Sequence, residues 1–125
     1  MIVSMVNDIP GLSGLVKLTC SRIIYDPHEI HLSFEGRYWI TVACPMVFKD
    51  GETNYNLNPD KGNYLQSDFP LYKCVDMIIK NVEANQDMLK LDFGKLVVEI
   101  SPNEPGVESF SFNSVDFGNA IVILD

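Results

Sequence analysis

His28 and His31 flank Glu29-Ile30, and this H-x-x-H spacing raises the question of a bound metal. Zinc asks for about four ligands at fixed geometry, and no Cys, Asp or second His pair stands at a matching interval. On a strand starting near Ile30, His31 points to the outer face opposite Thr41, while His28 falls in the Asp26-Pro27 turn. The two read as separate surface histidines, and no metal is expected. Cys20, Cys44 and Cys74 are far apart, each among apolar neighbours. A nucleophilic thiol needs a general base and an electropositive setting, and nothing local supplies either, so all three read as buried thiols in a reducing compartment. Asp92 and Glu99 share the outer face of one hairpin, where an acidic chain brings carboxylates together without any acid–base role. No G-x-S-x-G, Walker-type, H-E-x-x-H or G-x-G-x-x-G motif occurs. No catalytic residue and no cofactor are expected, and the chain does not read as an enzyme.

The elements that must position these residues are announced by a repeated phrase. "IHLSFEGRYWITV" (30–42) and "LKLDFGKLVVEI" (89–100) share one cadence: apolar alternation, Phe, a glycine, then alternation again. In the second, Gly94-Lys95 suits a two-residue turn, with Gly supplying positive φ at the first central position. Phe93 then faces Leu96, Leu91 faces Val98 and Leu89 faces Ile100. In the first, a three-residue loop Glu35-Gly36-Arg37 sets Phe34 against Tyr38, Leu32 against Ile40 and Ile30 against Val42. Both registers keep these paired apolar residues on one face.

The correspondence runs further in both directions. Upstream, Leu12, Val16, Leu18 and Ile23 match Leu71, Val75, Met77 and Val82 at a spacing of 59. Downstream, "GETNYNL" (51–57) and "GVESFSF" (106–112) match at a spacing of 55. The expectation is a single domain over 1–125 with internal repeats at about 12–57 and 71–112. The class is mainly β, with α+β possible and one or two short helices, the repeats packing as a sandwich, a barrel or one bent sheet. "LYKCVDMIIKN" suggests a short helix near 68–75 running into a strand from about 77 to 84. "AIVILD" (120–125) is apolar on both sides and suggests a central strand covered on both faces. The irregular stretch from Cys44 to Asp68, rich in turn signals, links the copies and is long enough to bind something.

Charge narrows the partners. Seventeen acidic residues against nine basic give a formal charge of −8, and residues 83–125 hold eight of those acids with only Lys90 and Lys95. Such a surface repels nucleic acid and attracts cationic proteins, although acidity also serves plain solubility. No apolar run approaches the roughly 18 to 20 residues of a membrane span. No basic residue precedes the short apolar start, and Asp8 and Pro10 follow it early, so neither membrane nor signal peptide is expected and the location reads as cytoplasmic. Trp39, paired with Ser33, falls on the outer face of its hairpin; it is either an interface anchor or covered by another element.

The paired phrases resemble a family of small bacterial proteins with a Val-rich strand, i-x-L-x-F-x-[dn]G, L-x-I and then E-x-W-x-L, found among immunity proteins of contact-dependent growth-inhibition and other polymorphic toxin systems. The likeness covers roughly residues 15–113; Phe110 stands where a Trp would be expected and Asn54 replaces an acidic residue. The resemblance implies an immunity protein that occludes a cognate, cationic toxin domain, such as a basic nuclease, and it carries over no catalytic residue. Charge then nominates Glu83, Asp87, Asp92, Glu99, Glu104 and Glu108 as partner-binding residues, with Trp39 and Tyr55 as aromatic anchors. Against it stand a small-molecule-binding or enzyme-accessory domain with its ligand between the repeat halves, and a self-associating subunit with Trp39 at the seam.

Overall fold

Apolar residues at every second position make strands, and both repeated phrases fold in the register their alternation demands. The computed structural model describes residues 1–62 and 64–125. These form β1 (Ile2–Val3), β2 (Cys20–Asp26), β3 (Glu29–Phe34), β4 (Tyr38–Val42), β5 (Met46–Asp50), β6 (Thr53–Leu57), β7 (Asn81–Ala84), β8 (Leu89–Asp92), β9 (Leu96–Ile100), β10 (Glu108–Ser114) and β11 (Gly118–Ile123). One sheet runs β1-β11-β10-β4-β3-β2 and the other β6-β5-β9-β8-β7. Their inner faces enclose one apolar core, in which Phe34, Phe48, Phe69, Phe93, Phe110 and Phe112 are all buried. The protein is a mainly β, two-sheet sandwich that does not close into a barrel.

The hairpins are those expected. Ile30, Leu32 and Phe34 lie opposite Val42, Ile40 and Tyr38; Leu89 and Leu91 lie opposite Ile100 and Val98. The Phe93 amide donates to the Leu96 carbonyl at 2.9 Å around Gly94, whose φ is +104°.

The two copies are interlocked. β2-β3-β4 belong to the first sheet, but the next hairpin, β5-β6, crosses to the second and pairs β5 with β9. Likewise β7-β8-β9 build the second sheet, and β10-β11 return to the first, pairing β10 with β4. Each copy completes the other's sheet. At the crossing, Lys17 and Asp76, 59 residues apart, have φ of +74° and +71°. The Lys17 amide donates to the Ile79 carbonyl at 2.7 Å and the Asp76 amide to the Cys20 carbonyl at 2.8 Å. Thr19 bridges Ile78, its own counterpart at that spacing, so a local twofold axis passes between them.

The topology corrects four expectations. The downstream correspondence is β5 with β10 and β6 with β11, not 51–57 with 106–112: Met46 and Phe48 oppose Ile100 and Val98 as Phe110 and Phe112 oppose Val42 and Ile40. The second copy therefore extends to Ile123. No α-helix forms among the described residues; 3-10 turns at Leu12–Leu15 and Leu71–Cys74 stand at matching places, and each ends where Val16 or Val75 turns extended to enter the crossing. For the same reason the strand expected from about 77 begins at Asn81, residues 77–79 being engaged with the first copy. Finally, β11 is covered on one face only: Ala120 and Val122 are buried while Ile121 and Ile123 stay half-exposed.

Candidate functional site

The outer face of the six-stranded sheet carries the densest chemistry. Strand register aligns Ile24, His31, Thr41, Ser111, Ile121 and Ile2 in one row across all six strands. The next row holds Arg22, Ser33, Trp39, Asn113 and Asn119, and Asp26 pairs with Glu29 beyond His31. Trp39 is 39% exposed and Ile24 37%, so the face is uncovered at its centre and the anchor reading of Trp39 keeps its geometry. Trp39, Ile24, His31 and Arg22 rim a small depression of about 110 Å³.

His31 is the hub. Its Nε2 lies 2.7 Å from Asp26 Oδ2 and 3.4 Å from Glu29 Oε1, and its Nδ1 lies 2.9 Å from Thr41 Oγ1. The tight turn sets Asp26 directly across from Glu29, and the strand period of two places His31 beside Glu29 on the same face. Below them the Tyr64 hydroxyl donates to the Asp26 and Glu29 carbonyls, and Tyr25, whose hydroxyl donates to the Phe69 carbonyl at 2.8 Å, tilts against the Tyr64 ring. Burial pushes the Tyr25 hydroxyl up to about 12. Tyr25, Asp26 and Tyr64, with Pro27, Leu65 and Gln66, wall an open cleft of about 370 Å³.

Two chemistries are available here. One ligand atom each from Asp26, Glu29 and His31 lies within 4.8 Å of the others, so these three can hold a divalent cation. His28 takes no part: its Nδ1 lies 3.2 Å from the Asp60 carbonyl, so the H-x-x-H pair is split as expected. The Asp26–His31–Thr41 chain also has the form of a proton relay. Thr41 sits mid-strand between β3 and β10, where the ladders occupy the backbone N–H groups that would hold an oxyanion. In the sequence the cluster is marked by D-x-x-E-x-H across a strand–turn–strand, not by the spacing of the two histidines.

The nominated acids fall into two groups. Glu83, Asp92 and Glu99 lie on the outer face of the other sheet, with Asp87 in the turn before β8. That face is partly neutralised: Glu99 Oε1 is 3.2 Å from Lys49 Nζ and Glu83 Oε2 is 3.9 Å from Lys90 Nζ, whereas Asp92 accepts from the Gly94 amide at 2.7 Å and keeps its charge. Glu104 and Glu108 instead line a narrow cleft with Asp60, and Glu108 shares a second depression with Glu29, Thr41 and Ser111. Among the described residues, Asp26, Glu29, Glu104 and Glu108 meet no Lys or Arg within ion-pair distance. Of the eight nominated residues, Trp39 lies on the outer face of the six-stranded sheet, Glu108 meets that face beside Glu29, Thr41 and Ser111, and Glu104 shares the narrow cleft with Glu108. Tyr55 is half-buried and stacks on Phe48 with ring centroids 5.8 Å apart, which makes it part of the core wall.

The three cysteines are buried, and burial pushes the Cys20 thiol up to about 11 and those of Cys44 and Cys74 to about 12. They stay protonated and are poor nucleophiles. No helix among the described residues is long and apolar enough to cross a membrane. Comparison with protein-family models, with curated proteins and with solved structures finds no match to the chain in any of the three.

Proposed function

We propose that the protein is an immunity protein that binds and occludes a cognate, cationic toxin domain, without catalytic turnover. The observation that carries this reading is the uncovered face of the six-stranded sheet. Exposed Trp39 and Ile24 lie there, and at the β2–β3 turn end of the same face stand Asp26 and Glu29, which among the described residues contact His31 but no Lys or Arg. An aromatic anchor on the same face as carboxylates that meet no Lys or Arg suits a basic partner, the charge steering encounter and the ring holding the complex. The partner contacts are Trp39, Glu29, Asp26, Glu104 and Glu108; Glu83 and Glu99, already paired with Lys90 and Lys49, serve less well. Buried, protonated thiols suit a reducing cytoplasm. The competing reading, a small ligand held between the repeat halves, loses support because that space is filled by the phenylalanine core.

The test is affinity capture of the tagged protein from lysate of its own host, beside Trp39→Ala and Glu29→Lys/Glu108→Lys variants. One basic polypeptide retained at low salt, weakened about tenfold or more by either variant and left intact by Glu83→Lys/Glu99→Lys, is expected. A captured toxin whose own activity the protein fails to inhibit sinks the reading, as does capture indifferent to all three variants.

A further inference from the structure

Under the repeat, the two sheets match strand for strand with one exception. β2, β3, β4, β10 and β11 correspond to β7, β8, β9, β5 and β6, and β1 has no counterpart. β1 lies parallel on the outer edge of β11, Ile2 beside Ile121 and Val3 beside Val122. There the Ile121 amide donates to the Met1 carbonyl at 2.9 Å, and the Met1 ammonium donates to the Asn119 carbonyl at 3.2 Å. The corresponding edge is β6, where Asn54 and Asn56 occupy the places of Asn119 and Ile121.

Hydrogen-bond alternation identifies the free groups on that edge. The Gly51 amide donates to the Lys95 carbonyl and the Ser101 amide to the Pro45 carbonyl, so odd-numbered residues of β5 turn their backbone groups to β9 and even-numbered ones to β6. Met46, Phe48 and Asp50 therefore bond Leu57, Tyr55 and Thr53. The N–H and C=O of Asn54 and Asn56 point outward, and no backbone group among the described residues meets them.

Other features set β6 apart. It carries no charge, proline or bulge, whereas the edge strand β2 has a register shift at Cys20–Arg22, and β7 is four residues long with Glu83. Natural edges are normally guarded by such devices. Val122, beside β1, is fully buried, while its counterpart Leu57 is left half-exposed. An open depression of about 300 Å³ lies at that end of β6, lined by Pro45, Met46, Val47, Asn56, Leu57 and Asn58.

We infer that β6 is a strand-addition site. It takes an extended segment of another polypeptide, laid parallel as β1 is on β11, bonded to the Asn54 carbonyl and the Asn56 amide, with an apolar residue set beside Leu57 as Val3 is beside Val122. A second copy pairing β6 with β6 about a twofold axis would run antiparallel, unlike the occupied edge. The site lies on the other sheet from the acidic face and stands independently of the immunity reading.

The test titrates the full, ¹⁵N-labelled chain with a synthetic peptide of residues 1–6, Met-Ile-Val-Ser-Met-Val, with a free amino terminus. Expected are amide shifts confined to residues 53–58 and slowed exchange of the Asn56 amide. Asn56→Pro removes an N–H that the fold does not use, so the melting temperature should hold while peptide affinity falls about tenfold or more. Absence of shifts at millimolar peptide, shifts at Ile121 and Val122 instead, or binding indifferent to Asn56→Pro overturns the inference. Antiparallel pairing of β6 with β6 of a second copy, read as self-association through residues 53–58 that Asn56→Pro abolishes, overturns the choice of occupant.

Discussion

Asp50 shows how a single surface carboxylate ties the second sheet to the segment before β7. Lys73 Nζ lies 2.9 Å from its Oδ2 and Lys95 Nζ 3.4 Å from its Oδ1. The hydrogen bond from Lys73, with the charges of both lysines, holds the Asp50 carboxyl below the usual carboxylate range, and Asp50 in turn holds Lys73 above the usual lysine value. A carboxylate whose folded pKa is depressed stabilises the fold above its unfolded pKa, and that contribution is lost as pH falls through the folded value. Urea denaturation of Asp50→Asn beside the parent should therefore show a deficit at neutral pH that shrinks in acid; a deficit unchanged below the carboxylate range would refute the linkage. Neither lysine could be assigned to Asp50 from the sequence, because the contact joins a strand end to residues 23 and 45 positions away. His31 is different. Its outward direction and its pairing with Thr41 were legible from strand alternation, whereas its bonds to Asp26 and Glu29 depended on how tightly β2 turns into β3.

At the scale of elements, turn chemistry and alternation were enough to set both hairpins. Gly94 at φ +104° is where an L side chain would be strained, although its only close neighbour is the flexible Lys80 side chain. Gly94→Ala should cost about 1–2 kcal/mol in chemical denaturation without loss of the fold, since the penalty is conformational and not a clash with backbone. A neutral substitution would mean that the turn rearranges. The apolar residues of 68–79 satisfy both periods, so where a short helix near 68–75 and a strand from about 77 to 84 are expected, a 3-10 turn at Leu71–Cys74 forms and the strand starts at Asn81. What decided it was pairing with 16–20, a segment 59 residues away. Local propensity had no means of weighing that.

Over the whole molecule, the repeat is a pair of interlocked halves related by a twofold axis near Thr19 and Ile78. Phe48 and Phe112 hold corresponding places in the exchanged hairpins, and both are buried. Phe48→Ala and Phe112→Ala should each destabilise by about 3–5 kcal/mol in denaturant titrations, because each opens a cavity between the sheets. A small loss at either position would show that the exchanged hairpin does not seal its sheet. The sequence by itself determined the β class, the existence of a duplication, the hairpin registers and the outward placing of Trp39, because period-two alternation and turn glycines act within a few residues. Only the tertiary structure decided which hairpin completes which sheet, which acids lysines neutralise, and which edge is left open. Those outcomes depend on pairings between segments tens of residues apart, where many partners satisfy the same alternation and only simultaneous burial of both inner faces selects one.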